Sequence, residues 1–157
     1  MWRQRAGITY IELMIVLLIV AFISAMGFSA YLNWQKDVTL VNAADELKSA
    51  IVLAQGQALA AAGNNHWGVH LESDNYTIFP GTFFNQNNPE NKTKELRGVQ
   101  ILNPATSLAD GVGGFGPNVV FTKYTGQTVN FGQIVLSASS DSSKTKTVTI
   151  QNNGQIN

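Results

Sequence analysis

A dense apolar block runs from Ile8 to Leu32, and Glu12 is the only charged residue between Arg5 and Lys36. As a helix, the block spans roughly 37 Å at about 1.5 Å per residue, enough to cross a bilayer with some tilt. Helical spacing continues beyond it. Val41, Ala44, Leu47, Ile51, Ala54, Ala58 and Ala61 recur at three- and four-residue intervals, while Asp37, Asp45, Glu46 and Lys48 fall mostly off that stripe. No proline interrupts Ile8 to Ala62, and Gly63-Asn64-Asn65 tolerates the left-handed conformation that ends helices. The pattern predicts one long helix, membrane-embedded in its first half and amphipathic in its second.

After Asn65 the chain changes to short β-like runs divided by turn residues. His66 to Leu71 and Tyr76 to Phe79 flank Glu72-Ser73-Asp74-Asn75 and predict a hairpin. Further strands are predicted at Val99–Leu102, Val119–Tyr124, Thr128–Phe131, Ile134–Ser137 and Thr147–Ile150. The polar stretches Asn85–Lys94 and Ser139–Ser143 read as exposed loops. The expected fold class is α+β: a long N-terminal helix whose second half packs its stripe on an antiparallel β-sheet.

At 157 residues with 45% hydrophobic content, the chain is long enough to bury a core. Formal charge is zero; from Lys36 onward there are eight basic and nine acidic residues. Phosphate binding draws on a basic excess or stripe, so nucleic acid is not an expected partner. Cysteine is absent, which removes disulfides, thiol nucleophiles and thiolate metal sites.

Three readings compete for the N-terminal block. Arg3 and Arg5 before an apolar core, with Ala25-Met26-Gly27 after it, fit a cleaved signal peptide. A plain single-pass anchor fits the same hydropathy, with the basic N-terminus in the cytoplasm. The third is a segment cut on the cytoplasmic side, before the apolar run, and retained. Glu12 separates them. A carboxylate inside a hydrophobic segment costs about 2.5–3.5 kcal/mol at the bilayer centre and less near its ends. A signal peptide or generic anchor gains nothing from it. Cutting after Gly7 creates a cation for it, the new α-amino group of Ile8, one helical turn away or on a neighbouring chain.

Gly7-Ile8-Thr9-Tyr10-Ile11-Glu12-Leu13-Met14-Ile15-Val16-Leu17-Leu18 resembles the class III signal of type IV prepilins and type II secretion pseudopilins. That pattern is a Gly, then usually Phe-Thr-Leu-Ile-Glu, then a long apolar helix. Ile8 and Tyr10 depart from the usual Phe and Leu but stay apolar in character. The resemblance implies cleavage by a prepilin peptidase between Gly7 and Ile8, N-methylation of Ile8, and an assembly role for Glu12. It divides the chain into a leader (1–7), a hydrophobic transmembrane and assembly helix (8–35) and an extracytoplasmic globular domain (36–157). The Ala-rich helix Leu47–Ala62, the following hairpin and the terminal Thr147–Ile156 strand and Gly turn are most similar to the GspH/FimT group of minor pseudopilins. Implied partners are other pilin or pseudopilin subunits, the peptidase, and an inner-membrane platform with its ATPase. Implied location is the inner membrane, single-pass, and then a periplasmic or surface filament. Some FimT-like proteins take up DNA through a basic C-terminal Gly-Arg motif. Here the end is Asn153-Gly154-Gln155-Ile156-Asn157, without arginine, and only Lys144 and Lys146 lie nearby. A DNA-uptake pilin and a membrane-anchored binding domain outside any filament are the alternatives.

Nothing else in the sequence suggests chemistry. Gly111-Val112-Gly113-Gly114-Phe115-Gly116 fits a dinucleotide glycine pattern, but Pro117-Asn118 and a β-like run follow where a helix is needed, so a flexible loop is expected. His66 and His70, on one strand, would stand about 13 Å apart, too far to share a metal. Asp45 and Glu46 diverge on a helix. No cofactor and no enzymatic activity are expected.

Overall fold

The computed structural model describes Gly7 and residues 9–157, and of residues 25–30 the backbone alone. The other leader residues and Ile8 lie outside that description. The chain divides into two units at Lys36/Asp37. Helix α1, Tyr10–Leu59, continues through the division.

In the first unit, the described side chains from Tyr10 to Ser24 and from Tyr31 to Gln35 are exposed. Ile11 and Phe22 are typical of a surface that finds no burial within its own chain.

In the second unit α1 buries Leu40, Ala43, Ala44, Leu47, Ala50, Ile51, Ala54 and Ala58. The stripe follows the expected spacing, but its centre lies slightly to one side: Leu40 is inside and Val41 is exposed. Small alanines bring the helix backbone close to the strands. The helix ends through left-handed residues at Ala61, Gly63 and Asn64. Just beyond the helix, the Ala62 carbonyl accepts both the Asn65 N–H at 3.3 Å and the Trp67 indole N–H at 2.9 Å, which ties the following segment to the helix end. Gln55 Nε2 donates to the carbonyls of Gly126 and Gly154, both at 3.0 Å, tying the helix to two turns far away in sequence.

Two antiparallel sheets form where a single one is expected. The first has the order β3-β2-β1-β7, with β1 Trp67–Leu71, β2 Asn75–Pro80, β3 Lys92–Glu95 and β7 Asn118–Phe121. The second is built around β8 (Gly132–Ala138), which pairs with β4 (Val99–Leu102), β5 (Leu108–Ala109) and β9 (Asp141–Ile150); β6 (Phe115–Gly116) pairs with β5. Both contribute to one core with α1: Val69, Leu71, Ile78 and Phe121 from the first sheet, Ile101, Leu108, Ile134, Leu136 and Ile150 from the second.

The predicted hairpin forms in register, Val69 opposite Ile78 and Leu71 opposite Tyr76. On the outer face of the first sheet the Phe79 ring lies over Gly68, where an added Cβ would stand 2.8 Å from it and 2.6 Å from the Val119 carbonyl oxygen. Phe84 closes that face, edge-on to Phe79 and stacked on His70 with ring centroids 3.9 Å apart.

Expectations change in four segments. The strand expected over Val119–Tyr124 ends at Phe121, and Lys123 and Tyr124 lie in the turn that follows. Lys92–Lys94, expected in a loop, begins β3; its residues are all exposed, so no apolar alternation marks them, and pairing with β2 alone makes them a strand. The Ser139–Ser143 loop shrinks to a turn, because β9 begins at Asp141. Thr128–Phe131 is not a strand. Its alternation is inverted, with Thr128 and Asn130 buried and Val129 and Phe131 exposed. Asn130 is inside because its side chain joins the two sheets: Oδ1 accepts the Val120 N–H at 3.0 Å and Nδ2 donates to the Ala109 carbonyl at 2.9 Å.

Candidate functional site

The residues singled out for processing and assembly lie at the start of α1. Thr9 caps the helix: its carbonyl accepts the Leu13 N–H at 3.2 Å, and its hydroxyl lies 3.4 Å from the Glu12 amide nitrogen. Thr9-Tyr10-Ile11-Glu12 is thus a Ser/Thr-x-x-Glu helix start, a signal written in the sequence itself. Glu12 in the first turn also meets the positive end of the helix dipole. Its side chain is exposed and enters no ion pair among the described residues. Ile8, the expected new N-terminus, lies outside the described residues. Among the described residues, nothing stands within 4 Å of the place an added Cβ on Gly7 would take.

Among the described residues no helix is long and apolar enough to cross a membrane. The expected crossing, Ile8 to Leu32, includes Ile8 and residues 25–30, whose side chains are not described.

The other residues considered for chemistry do not converge. His70 is on β1 but His66 precedes the strand. His70 Nδ1 is 2.7 Å from Asn118 Oδ1, and Nε2 is 3.6 Å from Glu72. No three His, Cys, Asp or Glu side chains among the described residues could hold a metal ion. Glu46 pairs with Lys94 at 2.7 Å, and Lys144 with Asp37 at 2.6 Å. Burial pushes the Tyr76 hydroxyl up to about 12, with the charge of Glu46 adding to the effect. The glycine-rich segment makes the turn from β5 into β6. Asp110 Oδ1 accepts the N–H groups of Val112 (2.9 Å) and Gly114 (2.8 Å), and these bonds hold its carboxyl below the usual carboxylate range. A phosphate would need those amides, and the chain's own carboxylate already fills them.

The family model for the type II transport protein GspH matches residues 43–154. The chain belongs to the GspH family. No curated protein matches its sequence significantly. Solved GspH-like folds are similar in structure. The minor pseudopilin EpsH of the Vibrio cholerae type II secretion system superposes with a TM-score of 0.54 at 15% identity, over 77% of this chain and 93% of that one. The type IV minor pilin FimU of Pseudomonas aeruginosa gives 0.53 at 15% identity, over 75% and 86%. At such identities the likeness concerns the fold.

As a GspH-family protein the chain is a structural subunit of a type II secretion pseudopilus or a type IV pilus and assembles with other pilin-like subunits. The family is one of membrane-anchored filament subunits. The match begins at residue 43, so the roles of Gly7, Ile8 and Glu12 rest on the first unit's own residues.

Proposed function

We propose that this subunit enters its filament through the N-terminal helix after processing between Gly7 and Ile8. A prepilin peptidase removes residues 1–7 and methylates the Ile8 amine. The rest waits as a single-pass protein of the inner membrane, residues 8–35 in the bilayer and 36–157 outside the cytoplasm, until a platform protein and its ATPase draw it into the filament. The chain works by assembly and carries out no reaction. One observation carries the reading: a lone carboxylate, Glu12, opens an apolar helical surface that finds no burial within its own chain. That surface calls for a lipid or protein environment, and the carboxylate calls for a cation within it. The Ile8 amine of an adjacent subunit supplies the cation and sets the axial register. Removing one member of a buried ion pair costs about 3–5 kcal/mol, because the other is left unpaired.

Glu12→Ala is therefore expected to insert in the membrane and be processed normally, yet to be nearly absent from sheared filaments. Recovery of that variant in filaments at the wild-type level would sink the register role. Intact-mass analysis of membrane-extracted protein checks the processing step. A chain beginning at N-methylated Ile8 supports it; a chain still beginning at Met1, with active peptidase present, favours a plain anchor.

A further inference from the structure

Between Ile8 and Lys36, the only side chains that join an aromatic ring to a polar tip are Tyr10, Tyr31 and Trp34. They stand at the two ends of the apolar run, and all three are largely exposed. Phe22 and Phe28, rings without a polar atom, stand between them. Tyr31 and Trp34, three residues apart on one helix face, meet with ring centroids 6.1 Å apart and planes tilted by 42°. Lys36 follows two residues later. Inside the run the Ser24 hydroxyl donates to the Val20 carbonyl at 2.7 Å, so this polar group is satisfied within the helix.

The spacing of the three rings matches a bilayer. At about 1.5 Å per residue, Tyr31 lies about 32 Å and Trp34 about 36 Å along the axis from Tyr10. The hydrocarbon core of a bilayer is about 30 Å thick. Helical side chains lean toward the N-terminus, so Tyr31 and Trp34 cover the turn before them, while Tyr10 and Glu12 reach away from the bilayer centre. Rings with a polar tip settle where hydrocarbon meets headgroup. A neighbouring helix does not call for polar tips at these two levels and plain phenyl rings between them; a hydrocarbon slab with two wet faces does. We infer that Tyr31 and Trp34 anchor the waiting subunit in the headgroup layer of the outer leaflet and, with Tyr10 at the cytoplasmic face, set its depth. At that depth Glu12, about 3 Å inside Tyr10, stays at the edge of the hydrocarbon and keeps water on its carboxylate. Extraction then draws Glu12 into the hydrocarbon as the anchor leaves its layer. This rests on the chain crossing the membrane once and is independent of the partner given to Glu12.

The test uses the full-length chain in vesicles of phosphatidylethanolamine and phosphatidylglycerol. Because the chain has no cysteine, one nitroxide label at a time can be placed, on Leu13→Cys, Phe22→Cys or Leu32→Cys. Relaxation of the label by oxygen against a water-soluble nickel chelate reads its depth. The labels replacing Leu13 and Leu32 are expected within one helical turn, about 5 Å, of the headgroup level, and the one replacing Phe22 near the bilayer centre. Tyr31→Leu with Trp34→Leu lengthens the apolar run, so the label at Leu32 should sink by about 3 Å or more, two residues of rise. Tyr31→Trp with Trp34→Tyr keeps two polar-tipped rings and should restore the original depth, which a role in side-chain packing alone would not survive. A label at Leu13 as deep as that at Phe22, unchanged depths in the leucine pair, or no recovery on exchange would overturn the anchor; a deep label at Phe22 still upholds the single crossing. All three labels in water would refute the crossing and the anchor with it.

Discussion

At the scale of single residues, several charged and small side chains are committed to the chain's own structure. Some reach across long stretches of sequence, as Glu46 with Lys94 and Asp37 with Lys144, and some act within a single turn. Asp110 is the clearest case, a carboxylate satisfied by the amides of its own turn. Since its folded pKa is depressed, its stabilisation is complete above the unfolded carboxylate value of about 3.9 and fades as pH falls through the lower folded value. Asp110→Asn should remove that acid-side dependence and loosen the turn, read as faster amide exchange at Val112 and Gly114. Tyr76 acts on the alkaline side. Its pKa is raised to about 12, so the stability it contributes is intact below about 10 and is lost as pH rises through the folded value. An absorbance titration should show one tyrosine ionising late, and Tyr76→Phe should abolish that step. Gly68→Ala forces a methyl group against Phe79 and the Val119 carbonyl, with an expected loss of about 1–3 kcal/mol in denaturant unfolding.

At the scale of elements, hydrophobic period was a better guide than hydrophobic phase. The stripe on α1 was legible because its spacing repeats over several turns; Leu40 replaces Val41, Ala43 and Ala50 join it, and Ala61 falls beyond the helix end. Leu47→Ala or Ile51→Ala, each fully buried, should cost about 2–5 kcal/mol, whereas Val41→Ala should change little. The Thr128–Phe131 segment shows where alternation misleads. Its period is two, yet the polar residues are inside, because Asn130 bonds to both sheets at once. Asn130→Ala leaves the Val120 N–H and the Ala109 carbonyl without these partners and should cost about 1–3 kcal/mol. β3 was missed for a related reason. An exposed edge strand of Lys, Thr, Lys and Glu has no apolar face to display in sequence, and such charges are common at edges, where they discourage stray pairing.

At the scale of the whole molecule, the two units place different demands on their surroundings. The second, from Asp37, has its own core drawn from α1 and both sheets, and a soluble protein beginning there should unfold cooperatively on heating, monitored by circular dichroism. The first presents apolar side chains that its own chain leaves exposed; in the proposed function, lipid and then other subunits cover them. Taken alone, the sequence determined the long helix and its stop, the hairpin, and the lone carboxylate at the mouth of an apolar run. Each of these is written in neighbouring residues, through period, capping chemistry and turn propensity. The tertiary structure alone decided that the strands divide into two sheets and that Asn130 goes inside. These features depend on partners distant along the chain, and a linear pattern carries no record of which surfaces will meet.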